Sequence, residues 1–134
     1  TIAIPDRPGN RRFDGFLNIF ETGRVGLIFF VPNRNETVRV NGTAEVVRDL
    51  PLRESMAIKG RVPELAVLVR VEEALYHCGK AIIRSGLWAP DNAASTKGLP
   101  TYAEANLDHT GRDIPLEVVS KWFDDNEKFR LYDD

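Results

Sequence analysis

The most chemically loaded stretch lies near the start of the chain, where PDRPGNRRFDGF, Pro5 to Phe16, packs two prolines, two glycines and three arginines into twelve residues. A strand that passes through a tight turn into a helix aims unpaired backbone N–H groups outward. Asn10, Arg11 and Arg12 would add donors and positive charge at that place, which together make a cradle for a phosphate or another anion. The competing reading is a solvated turn, because cations beside the positive end of a helix dipole are slightly unfavourable.

A second group is HCGKAIIRSGLW, in which His77, Lys80, Arg84 and Trp88 stand three or four residues apart. On one helical face they would present cations and an indole to an anionic, aromatic ligand. The alternative is a helix whose Ala81, Ile82 and Ile83 pack inward while its charges are solvated. Cys78, alone beside apolar residues, reads as a small buried hydrophobe rather than a redox nucleophile. Glu72 and Glu73 are adjacent in a strand-like run, so alternation sends them to opposite faces and argues against a working carboxylate pair. DHTGRD, with His109, Arg112 and Asp113, has no fixed nucleophile and reads as a turn. Phosphate-binding loops of the Walker and GxGxxG kinds, and nucleophile elbows, are missing from the sequence. No residue stands out as a general acid or base.

The elements that must position these groups follow from periodicity. TIAIP alternates like the end of a strand stopped by Pro5, which cannot donate to a sheet ladder. Asn10 is the expected helix N-cap, and Phe13, Phe16, Leu17 and Phe20 recur at i, i+3, i+4 and i+7 ahead of Gly23 as terminator. RVGLIFFVP reads as a buried strand, and ETVRVNGTAEVV alternates as a strand with one wet face and a bulge at Gly42, the two forming an antiparallel hairpin. A short helix is expected near Pro51. Residues 64–71 start another strand, and the pattern from Ala74 to Arg84 predicts a helix weakened by Gly79. Residues 89–100 read as a loop, and 101–134 as a helical tail with Pro115 in the first turn of its last helix. In that tail Trp122, Phe123, Phe129 and Tyr132 recur at helical spacing, as a core or subunit contact would. These elements define one α+β domain over 1–134, built round an antiparallel sheet.

Composition limits the function classes. The 134 residues are 43% apolar and 28% charged, with 18 Lys+Arg against 20 Asp+Glu, so no whole-surface attraction for nucleic acid or anionic membrane is expected. RPGNRR alone makes a weak nucleic-acid reading. One cysteine and two histidines give no disulfide and no zinc framework, and a cytoplasmic location is the simpler expectation. No apolar run approaches the roughly 20 residues that span a bilayer. Thr1 in place of methionine, with a strand already under way, implies preceding residues.

The order of segments in TIAIPDRPGNRRFDGFLNIFETGRVGLIFFVPNRNETVRVNGTAEVV resembles the flavin-binding core of the pyridoxamine 5'-phosphate oxidase-like split-barrel proteins. With HCGKAIIRSGLW it resembles most a bacterial subgroup of probable FMN-dependent proteins. The resemblance implies a mainly β fold, an antiparallel split barrel with short helices. It also implies a homodimer that holds FMN at the subunit interface and acts as an oxidoreductase, or else as a non-catalytic module that binds or stores flavin or a related cofactor. Carried over residue by residue, Arg11 and Arg12 would grip the FMN phosphate. Ile4, Pro5 and Asp6 would run alongside the flavin, and Thr37 falls where the oxidase has a glutamine reaching the cofactor, so this contact is shortened. Lys80, Arg84 and Trp88 would approach the ring or substrate, from either subunit. The segment that binds pyridoxal phosphate in the oxidase has no counterpart, so vitamin B6 oxidation does not carry over, and the family's leading strands would lie before Thr1.

Overall fold

The computed structural model describes residues 1–9, 12–89, 91 and 95–132, which fall into two compact units, Thr1–Ala93 and Ala94–Asp134. The first unit is built on four strands, β1 (Ile2–Pro5), β2 (Arg24–Phe29), β3 (Thr37–Val47) and β4 (Ala66–His77). They form one curled antiparallel sheet in the order β1-β4-β3-β2. The expected hairpin is β2–β3, with Arg24 opposite Thr43 and Phe29 opposite Val38. Helix α1 (Asp14–Thr22) enters between β1 and β2. Its Phe16 and Ile19 pack on Ala44, Val67 and Val69, together with Ile2, Ile4, Val25, Leu27 and Val46. Full burial of a side chain such as Val69 is worth about 1.5–3 kcal/mol, so this face holds the sheet together. Gly23, at φ 64°, ends α1 in the left-handed conformation and donates its N–H to the Ile19 carbonyl at 2.8 Å.

Three expectations about the elements of this unit need correction. The strand expected to be buried, β2, lies at the end of the sheet with Ile28 and Phe29 exposed. Helix α1 starts at Asp14, with Phe13 at its N-cap and no side-chain cap, so Arg12 lies ahead of the helix rather than in its first turn. The expected cap Asn10, and Arg11, lie outside the described residues. Residues 74–77 are strand, not helix: β4 continues to His77 because Thr37–Asn41 of β3 offers a paired edge as far as Thr37 opposite His77. Pairing along a neighbouring strand outweighs the helix propensity of Ala74 and Leu75, although both are good helix formers. The helix that follows, α3 (Lys80–Ser85), is correspondingly short. Helix α2 (Leu50–Ser55) lies where Pro51 placed it, capped by Asp49, whose carboxylate accepts the Leu52 N–H at 2.8 Å.

The second unit pairs α4 (Tyr102–Thr110) with α5 (Leu116–Phe129), burying Ala103 and Val119. The Tyr102 and Phe123 rings meet edge to face at 4.6 Å. A capping box fixes the start of α4, in which Thr101 accepts the Glu104 N–H and Glu104 accepts the Thr101 N–H. Pro115 is the N-cap of α5, one residue before the position expected. His109 lies in the last turn of α4, ahead of Gly111, so the expected turn begins later. Trp122 is exposed.

Candidate functional site

The end of β1 is held firmly. Pro5 pairs opposite Ala66 without donating, and Asp6 resumes the ladder by donating its N–H to the Leu65 carbonyl at 3.0 Å. One residue on, Arg7 reaches the Met56 carbonyl at 2.6 Å and ties the turn to the chain beyond α2. At the far side of the turn the Arg12 Nε donates to the Asp14 carboxylate at 3.0 Å. Asp14, in the first turn of α1, thus offsets both the helix dipole and the cation beside it. Ile4, Pro5, Asp6 and Arg12 therefore belong to the β1 end of the sheet and the turn that follows it.

Thr37, Lys80, Arg84 and Trp88 form a different group. Among the described residues Thr37 is the one buried polar side chain, 4% exposed, and its Oγ1 has no hydrogen-bond partner there. It begins β3 opposite His77, the last residue of β4. Beyond His77 the chain passes Cys78, which is exposed rather than buried, and Gly79, which lies against Asn35. Lys80 and Arg84 stand exposed on α3, without His77, which belongs to the strand. Trp88 is turned back by the Gly86 cap, and its indole N–H donates to the Arg34 carbonyl at 2.7 Å. The polar edge of the indole is thus engaged with the β2–β3 turn.

One chain does not bring these groups together. Pro5 pairs with Ala66, which pairs with Val47, whereas Thr37 pairs with His77 at the other end of β3, ten residues away. At about 3.3 Å per residue that is roughly 33 Å along the strand.

Between the two ends lies a cleft that the sequence reading missed. It has a volume of about 550 Å³ and is lined by Arg24, Val25, Gly26, Asn41, Gly42, Glu72 and Glu73. The register shifts between Asn41 and Gly42: Asn41 pairs with Glu73 and Gly42 with Val71, which leaves Glu72 as the extra residue of a bulge. Both glutamates consequently share one face, contrary to the alternation expected of them. Glu72 pairs with Arg24 at 2.5 Å and Glu73 accepts from the Asn41 side-chain amide at 2.8 Å. Gly42 was the available signal, but its position in β3 does not say that the extra residue is in β4. Both carboxylates are bonded and solvent-facing, as a structural polar cluster would be. Among the described residues no group of three His, Cys, Asp or Glu side chains is placed to hold a metal ion, and no helix is long and apolar enough to cross a membrane.

Comparison with protein-family models, curated proteins and solved structures gives no match.

Proposed function

We propose that the protein is an FMN-binding member of the pyridoxamine 5'-phosphate oxidase-like split-barrel class, acting as an FMN-dependent oxidoreductase in a homodimer. The observation that carries this reading is the β1 end: a strand held to its last residue, Arg7 tied to the Met56 carbonyl, and Arg12 braced by Asp14 ahead of α1. An arginine held beside a fixed strand end supports charge-assisted binding of a phosphate. The curled four-stranded antiparallel sheet, with α1 between β1 and β2, supports the finer assignment as part of a split barrel.

On this reading the cofactor site is shared between two copies. The β1 end of one copy, with Arg11 and Arg12, binds the phosphate, and Ile4, Pro5 and Asp6 line the flavin. Thr37 of the other copy, its hydroxyl buried within its own chain, marks the second half of the site, with Lys80, Arg84 and Trp88 near that end of the sheet. Bound FMN would supply hydride or electron transfer, while this chain anchors, orients and surrounds it with charge.

The test is a titration of FMN followed by its absorbance, in wild type and in Arg11→Ala/Arg12→Ala. Each lost charge-assisted contact is worth about 1.5–3 kcal/mol, so the double variant should bind at least 100-fold more weakly. Equal affinity would refute the site, and a wild type that ignores FMN would refute the cofactor. Bleaching by NAD(P)H followed by reoxidation in air identifies the enzyme. A tightly held flavin that no reductant turns over identifies a storage module.

A further inference from the structure

Two contacts fasten the segment after β4 to the β2–β3 turn. At its start, Gly79 is buried so closely against Asn35 that a Cβ there would lie 2.7 Å from the Asn35 carbonyl carbon and 2.8 Å from its oxygen. At its end, the Trp88 indole donates to the Arg34 carbonyl at 2.7 Å. Between them α3 is closed by Gly86, at φ 60°, with the Leu87 N–H reaching back to the Ile82 carbonyl at 3.2 Å, and this reversal returns Trp88 to the turn. The turn reverses at Asn33, which sits at φ 64°, the left-handed conformation that asparagine adopts more readily than most side chains. Two residues beyond Asn35 is Thr37, with its buried, unpartnered hydroxyl.

A dry hydroxyl without a partner is costly and persists only where the surroundings impose it. We infer that the Gly79–Trp88 segment is a latch on the β2–β3 turn. Closed, it keeps the Thr37 hydroxyl dry and unpartnered; released at the Trp88–Arg34 hydrogen bond, it gives the hydroxyl a partner, water or a polar ligand atom. The inference stands on geometry and does not depend on the flavin reading.

A double-mutant cycle on the full chain tests it, with Thr37→Val to remove the hydroxyl at constant shape and Trp88→Phe to remove the indole N–H while keeping an aromatic ring. Thr37→Val should raise the melting temperature of the wild type, and at least half of that gain should vanish in the Trp88→Phe background, where the hydroxyl already has access to water. Amide exchange of residues 34–37 should accelerate about fivefold in Trp88→Phe, the Boltzmann equivalent of one ordinary hydrogen bond. Gly79→Ala, which drives a Cβ into Asn35, should reproduce both effects by another route. An equal gain from Thr37→Val in both backgrounds, a loss in the wild type, or unchanged exchange in both latch variants would overturn the inference.

Discussion

Gly42→Ala is the sharpest perturbation of the sheet that carries the proposed site. A Cβ on Gly42 would stand 2.1 Å from the Arg70 carbonyl oxygen and 3.0 Å from its carbon. An ordinary carbon–oxygen contact needs about 3.3 Å, so β3 and β4 would have to part by roughly 1.2 Å at the bulge. Both groups are backbone, and no rotamer change relieves the clash. Overpacking of this kind costs about 1–3 kcal/mol, and loosening two ladder hydrogen bonds adds about 0.5–1.5 kcal/mol each. The expected loss is about 3–4 kcal/mol, a large share of a stability of roughly 5–15 kcal/mol. It should appear as a melting temperature lower by roughly 10–15 °C and as a reduced urea midpoint, both followed by circular dichroism. Gly26→Ala is the control, because its Cβ would meet only the end of the Asn41 side chain, at 3.3 Å, and that amide can move. A Gly42→Ala protein that melts within about 2 °C of wild type, or no lower than Gly26→Ala, would refute the reasoning.

The Thr101 backbone and hydroxyl bonds hold the Glu104 carboxyl below its usual range. Because the folded pKa is the lower one, the capping contribution is complete above the unfolded value, about 4.3, and is lost as pH falls through the folded one. Helicity of α4, read from its amide resonances, should drop in that acid range, and Glu104→Gln should abolish the step. The Arg24–Glu72 pair spans two strands but is exposed, with side chains 60% and 44% accessible. Its double-mutant coupling should therefore be below about 1 kcal/mol and vanish at molar salt, and a coupling above about 2 kcal/mol would show that it is shielded from water.

The local parts of the fold were legible because local chemistry decides them. Pro5 ends β1, Gly23 ends α1, the apolar run and the alternating run make the β2–β3 hairpin, and Gly42 marks the bulge. What was missed depends on partners distant in sequence. Ala74–His77 extends because β3 lies beside it, and Glu72 and Glu73 share a face because the extra residue falls in β4 rather than β3. The helix starts late, where the acid Asp14 suits its first turn and pairs with Arg12. Trp88 looked like a ligand-facing ring, yet its N–H reaches a backbone carbonyl 54 residues away, a contact that no spacing rule reveals. The separation of Ile4–Asp6 from Thr37 likewise follows from strand pairing, and under the proposed function it means that two copies are needed to complete the site.

Subunit complementation tests that demand most directly. One copy carries Arg11→Ala/Arg12→Ala, and the other carries Lys80→Glu/Arg84→Glu on the exposed face of α3. Each variant alone should bind FMN poorly. Co-expressed with different tags and paired at random, half the dimers are mixed, and each mixed dimer holds one site free of both changes, so about a quarter of all sites should regain wild-type affinity. A mixture that binds FMN no better than the average of the two variants would contradict a site shared between copies.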